Sequence, residues 1–251
     1  LQFSSRLFDD LQDCQRVLAP AVYSAETAGK IMPLQNRVTP FGDIIATEHR
    51  GTLMGNRGCL HDDQKRIRRS FALKRWIICV LEFRGRRRQV MSPGRYTELF
   101  FLDEATALAA GHRPCAECQH ERYLLFREIW KAANPSLPAG ASFTAEDMDD
   151  ILHAERLDSG KEKRTYLSPL SELPAGVLVA DSAGVPFLVH KDGLLRWEPG
   201  GYSRDSSRTE GPVHVLTPKS VVNAIFRGFP VGIHPSASPG GPVPGAHDVL
   251  P

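Results

Sequence analysis

"LDEATALAAGHRPCAECQHERYLLFREIW", residues 102–130, brings Gly111, Pro114, Cys115 and Cys118 into one short joint between two helical patterns. Asp103 is placed to cap an alanine-rich helix from Glu104 to Ala110, and Gly111 to stop it. A second helix runs from Cys115 to about Ala132, with Tyr123, Phe126 and Trp130 on its apolar stripe. A glycine-ended helix, a rigid proline and a Cys-x-x-Cys turn opening the next helix present two thiolates from one knuckle. Tetrahedral zinc is gripped in that way, so Cys115 and Cys118 are metal-ligand candidates and zinc is the expected cofactor.

Outward from this joint the chain reads as α+β. Upstream, "TELFF" (97–101) predicts a short strand, and "RWIICVLEF" (75–83) another, followed by an Arg84-Gly85 turn and "RRRQVM" (86–91). Those three pieces predict a β-hairpin with an arginine-laden second strand. Downstream of the break "ANPSLPAG", the segment "TAEDMDDILHAERLDSG" predicts a Thr-capped helix ending at Gly160. Residues 173–235 alternate short apolar runs with Asp-Ser-Ala-Gly and Lys-Asp-Gly turns, a β-meander.

The expected organisation is therefore a zinc module with a hairpin insertion over 32–135, a helical connector over 136–172 and a β-rich lobe over 173–235. The tail 236–251 is rich in proline and glycine and is expected to be disordered. Met32 reads as a natural start, which makes residues 1–31 an extension or loose arm; an amphipathic first helix is the alternative.

The chain has 251 residues, 41% of them apolar and 24% charged, enough for one large or two small cores. No apolar run approaches the roughly 20 residues of a membrane span, and no secretory signal pattern opens the chain. Five cysteines, an odd number with one Cys-x-x-Cys pair, suit metal binding in a reducing compartment, so a cytoplasmic location is expected. The net charge of +2 conceals a block: from Arg50 to Arg95 there are 13 Lys/Arg against Asp62, Asp63 and Glu82. Arg66, Arg68, Arg69, Lys74, Arg75, Arg84, Arg86, Arg87 and Arg88 lie in or beside the expected hairpin. Their planar forks and ammonium groups suit phosphate oxygens, making DNA or RNA the expected partner. A solvated face, or a protein-interaction module meeting an acidic partner, is the alternative. Interleaved Phe71, Trp76 and Phe83 are candidates to stack unpaired bases or to fill the core.

Phe101, Ala107, Gly111, Arg113, Pro114, Cys115 and Cys118 together resemble the second half of the Ada-type metal-binding domain, over residues 101–118. The resemblance implies a four-ligand zinc site, nucleic-acid binding, and a role in DNA repair or regulation. In that family the first ligand pair is usually two cysteines spaced four apart, some 30 residues upstream; here Cys59-x-His61 stands over 50 residues before Cys115. The implied ligand set is Cys59, His61, Cys115 and Cys118, with Cys59 in the place of the methyl-accepting thiolate. Cys79 competes for the site, although strand alternation puts it on the same face as Ile77, Leu81 and Phe83, as a small buried hydrophobe.

A different pairing, His153-Ala-Glu155 with Pro114-Cys-x-x-Cys118, resembles the ligand and proton-shuttle motifs of zinc-dependent nucleobase deaminases. The two motifs occur here in reversed order. The alternative function is thus a metal-dependent hydrolase or deaminase acting on a nucleobase or nucleotide, with His153 and Glu155 catalytic.

Overall fold

Small side chains decide where the first helix can go. In the computed structural model, which describes residues 32–86, 89–137, 143–204 and 211–238, helix α1 (Glu104–Ala109) is buried at every position. Its four apolar residues are alanines and one leucine, so neighbours approach from all sides. Asp103 caps it, accepting from the Thr106 N–H at 2.8 Å and from the Thr106 hydroxyl at 2.7 Å. Gly111, at φ +90°, closes it with an N–H bond to Leu108 O of 2.9 Å.

Among the described residues, two six-stranded sheets flank this helix, and with four α-helices they make the fold α+β. The first sheet contains β1 (Gln35–Val38), β2 (Ile44–Ala46), β3 (Leu53–Asn56), β4 (Ile77–Cys79), β5 (Leu99–Phe101) and β6 (Arg113–Pro114), in the order β2-β1-β5-β3-β4-β6. β1 runs parallel to β5 and β4 parallel to β6; the other pairings are antiparallel. Gly55 is required in β3, because a Cβ there would lie 2.3 Å from the Phe101 ring that packs against it.

The second sheet is antiparallel throughout: β7 (Tyr166–Pro169), β8 (Leu178–Ala180), β9 (Pro186–His190), β10 (Gly193–Glu198), β11 (Gly201–Arg204) and β12 (Pro212–Val215), ordered β11-β10-β9-β8-β12-β7. The expected meander is present in β8 to β11, with its turns at Asp181 to Gly184 and Lys191 to Gly193. Helices α2 (His120–Ala133), α3 (Ala145–Arg156) and α4 (Lys219–Phe226) complete the fold, with Tyr123, Phe126 and Trp130 of α2 all buried as expected. Thr144 and Asp147 form a capping box at the start of α3.

One apolar cluster joins residues of both sheets, among them Ile78, Phe101, Phe126, Trp130, Val179, Phe187 and Val213. Asp103 adds a polar tie. Beyond capping α1, it accepts from the Tyr202 hydroxyl at 2.8 Å and from the His234 N–H at 2.9 Å, which fastens β11 and the chain after α4 to the helix start.

The expected hairpin is corrected. Residues 83–86 do form the tight turn, with Arg84 and Gly85 both at positive φ and the Arg86 N–H bonded to Phe83 O at 3.0 Å. Among the described residues, Arg86 and 89–91 nevertheless do not pair with β4, because β3 occupies one edge of β4 and β6 the other. Residues 1–31, Arg87, Arg88 and 239–251 lie outside the described residues.

Candidate metal centre

The parallel pairing of β4 with β6 sets the site. Ile77 lies opposite Arg113 and Ile78 opposite Pro114, so the next residue of each strand, Cys79 and Cys115, emerges at the same end of the sheet. The Cys115 N–H bonds to Ile78 O at 2.9 Å, and the Gln119 side chain donates to the same carbonyl at 2.9 Å. The chain then turns through Cys118 into α2, with the Gln119 N–H returning to Cys115 O at 3.1 Å. As a result, the sulfur atoms of Cys79, Cys115 and Cys118 all lie within 4.8 Å of one another. Cys79 and Cys115 are buried, and Cys118 is half-buried.

Main-chain donors surround these sulfurs. Cys115 Sγ accepts from the Glu117 N–H at 3.4 Å and also from the Cys118 N–H, while the Val80 N–H points to Cys118 Sγ. The Cys115 thiol is drawn well below its ordinary range, chiefly by hydrogen bonds from Cys118 and Cys79. Cys79 and Cys118 are pushed up in turn, because each is the donor to Cys115. One negative charge is thus shared readily, and ionising the other two thiols calls for a cation among them.

The arrangement suits a thiophilic metal. A Zn–S bond of about 2.3 Å in a tetrahedron places sulfurs roughly 3.8 Å apart, compatible with the observed cluster. Among the described residues no other His, Cys, Asp or Glu joins the group.

The other expected ligands lie elsewhere. His61 is buried, with Nδ1 2.7 Å from Thr97 Oγ1 and Nε2 3.2 Å from Ser92 O. The Ser92 carbonyl can only accept, so Nε2 carries the proton, and the Nδ1 lone pair is taken by the Thr97 hydroxyl. Cys59 Sγ sits 3.8 Å from His61 O and is outside the three-sulfur cluster. The geometry therefore puts Cys79 beside Cys115 and Cys118, and neither Cys59 nor His61. Spacing carried a signal for this: Cys79 precedes Cys115 by 36 positions, close to the interval of the Ada-type domain that residues 101–118 resemble, whereas Cys59 precedes it by 56. Strand alternation masked it by grouping Cys79 with Ile77, Leu81 and Phe83 as a core face, whereas the core side chain of β4 is Ile78, and Leu81 is exposed.

His153 and Glu155 are likewise absent from the cluster. His153 Nδ1 accepts from Arg156 at 2.9 Å. The Glu155 carboxylate accepts from the Ser220 N–H at 3.2 Å and from the Ser220 hydroxyl, capping α4.

The basic residues divide by partner. Arg66 Nε lies 2.9 Å from Asp62 Oδ2, and Arg68 reaches the same oxygen at 4.0 Å. Lys74 pairs with Asp150 at 2.8 Å and Arg86 with Glu117 at 2.7 Å. Arg84 and Arg86 both hold their guanidinium groups over the Phe83 ring, at 4.9 and 5.2 Å from its centre. Arg69 is exposed and Arg75 half-buried. The Phe83 turn begins three residues after Val80, so the arginine-bearing loop leaves directly from the cysteine knuckle.

No helix among the described residues is long and apolar enough to cross a membrane. No family model, curated protein or solved structure matches the chain.

Proposed function

We propose that this is a zinc-binding protein that docks on nucleic acid, with Cys79, Cys115 and Cys118 holding the metal and the arginine-rich segment meeting phosphates. The convergence of three sulfurs at one knuckle carries the reading. It is supported by the resemblance of residues 101–118 to the Ada-type domain, and a role in DNA repair or regulation belongs to the same proposal. Zinc would supply charge compensation for three thiolates and would tie β4, β6 and the start of α2 together. With three protein ligands, its fourth position would take water or an external group. Arg84 and Arg86, exposed on a turn rooted at Val80, would meet the backbone of a strand, as would Arg66, Arg68, Arg69, Lys74 and Arg75 along the loop before β4. Their ion pairs are surface pairs, which contribute only about 0–1 kcal/mol each and yield to phosphate.

Metal analysis and nucleic-acid binding test the two halves separately. The purified chain should hold one zinc, Cys79→Ser and Cys115→Ser should lose it, and His61→Ala should keep it. Retention by Cys79→Ser with loss from His61→Ala would overturn the ligand assignment. Binding to DNA or RNA should weaken with salt. On duplex DNA, replacing both Arg84 and Arg86 by Gln should flatten the log-log slope by about two units if both touch phosphate. An unchanged slope and affinity would leave the turn a solvated face.

A further inference from the structure

Phe71, the end of α3 and the loop that follows it to Arg164 line an open recess of about 370 Å³ that the three-cysteine cluster does not use. Its lining includes Phe71, His153, Ser159, Lys161 and Arg164. Phe71 and His153 meet edge to face with ring centres 5.1 Å apart, and Trp76 stands behind both, at 5.8 Å from Phe71 and 6.5 Å from His153. The ring of His153 is fixed: Arg156 donates to Nδ1, which leaves the proton on Nε2, a hydrogen-bond donor on the recess wall.

Behind this wall lies an unusual charge arrangement. Arg57 and Arg156 both lie over the Trp76 ring, with guanidinium carbons 3.9 and 4.0 Å from its centre. Both arginines are 1% exposed, far from the water that ordinarily solvates such groups. Arg57 Nη2 and Arg156 Nε have no hydrogen-bond partner among the described residues. Arg113 lies close to them, while the carboxylates that act on the group are Asp43 and Asp149, and Asp149 is held by two bonds from Arg113. Cations thus outnumber carboxylates in this low-dielectric interior. Asp158 is the one carboxylate in the lining, and its Oδ1 is engaged by the N–H groups of Gly160 and Glu162.

We propose that the recess takes one unpaired nucleotide of a nucleic-acid strand, its base seated against Phe71 and His153 and its phosphate held by Lys161 and Arg164. This rests on the nucleic-acid reading above and names the form of substrate: single-stranded or locally unpaired. Arg68 and Arg69 precede Phe71 by three and two residues and Lys74 follows it by three, so cations flank the seated nucleotide where the neighbouring phosphates would run. A strand, unlike a free nucleotide, uses both the recess and these flanks.

A 2-aminopurine placed in an unpaired oligonucleotide reports the base directly. Its fluorescence should change on binding, and Phe71→Ala should weaken affinity for single strands by about ten-fold or more, as loss of one base–aromatic stack does, with Phe71→Trp restoring it. A Lys161→Gln, Arg164→Gln double variant, at surface positions that leave folding intact, should weaken the same binding and flatten its salt slope. If Phe71→Ala and the double variant both bind like the parent, while glutamines at Arg66, Arg68, Arg69 and Lys74 abolish binding, the recess inference fails and the nucleic-acid reading stands. If neither set of changes matters, or no oligonucleotide binds, both fail. Adenosine monophosphate binding as tightly as an oligonucleotide of the same base would make the recess a small-molecule site and overturn the strand proposal.

Discussion

Gly111 shows how much one residue carries. Its φ of +90° is outside the range that L side chains adopt comfortably, and an added Cβ would lie 2.5 Å from Arg156 Cδ. Gly85 has a similar φ, +65°, but open space around it. Gly85→Ala should therefore cost only the left-handed backbone penalty, about 1–2 kcal/mol, whereas Gly111→Ala should cost distinctly more, because Arg156 must leave the Trp76 face. Urea midpoints measured for both variants check this; equal losses would show that Arg156 gives way freely.

At the scale of elements, α4 depends on α3 for its start. Its N-cap residue is Pro218, whose side chain makes no capping bond, and Glu155 supplies the acceptor instead, through Ser220. A carboxylate at a helix N-terminus also opposes the positive end of the macrodipole. Glu155→Ala should destabilise the fold by about 1–2 kcal/mol and leave metal content unchanged. Loss of metal with stability retained would return Glu155 to the zinc side and revive the hydrolase reading.

For the whole molecule, the buried cations make stability depend on pH. Burial, with Arg57 and Arg156 nearby, lowers Lys163 from its ordinary 10.5 to about 7; its ammonium donates to Ala109 O at the C-terminal end of α1. Between pH 7 and 10 the unfolded chain then binds more protons at this position than the folded one, so stability rises with pH across that window. Relative to Lys163→Met, the parent should gain thermal stability from pH 7 to pH 10, read as the difference between the two Tm profiles. A flat difference would mean that the lysine is charged in both states.

Local grammar was legible in the chain itself. Asp103, Thr144 and Gly111 set helix limits through bonds to residues within a few positions, and the 3.6-residue period of Tyr123, Phe126 and Trp130 fixed the inner face of α2. The Cys115 and Cys118 pair was legible for the same reason, since its geometry is a property of one turn. The α2 start was less so: the helix begins at His120 because Cys115 to Gln119 form the knuckle first. What tertiary structure alone decided was the third sulfur and the fate of the arginines. Cys79 reaches the pair through the parallel β4–β6 register, a contact across 36 residues that no local pattern encodes. That pairing and the β3–β4 pairing together occupy both edges of β4 and so leave Arg86 no edge of β4 to pair with. Nothing in the sequence sets Arg57 and Arg156 apart, yet in the fold both hold their guanidinium groups over the Trp76 ring. Side-chain type and short-range spacing are written in the chain; which distant backbone segments share hydrogen bonds is settled only when the whole core packs.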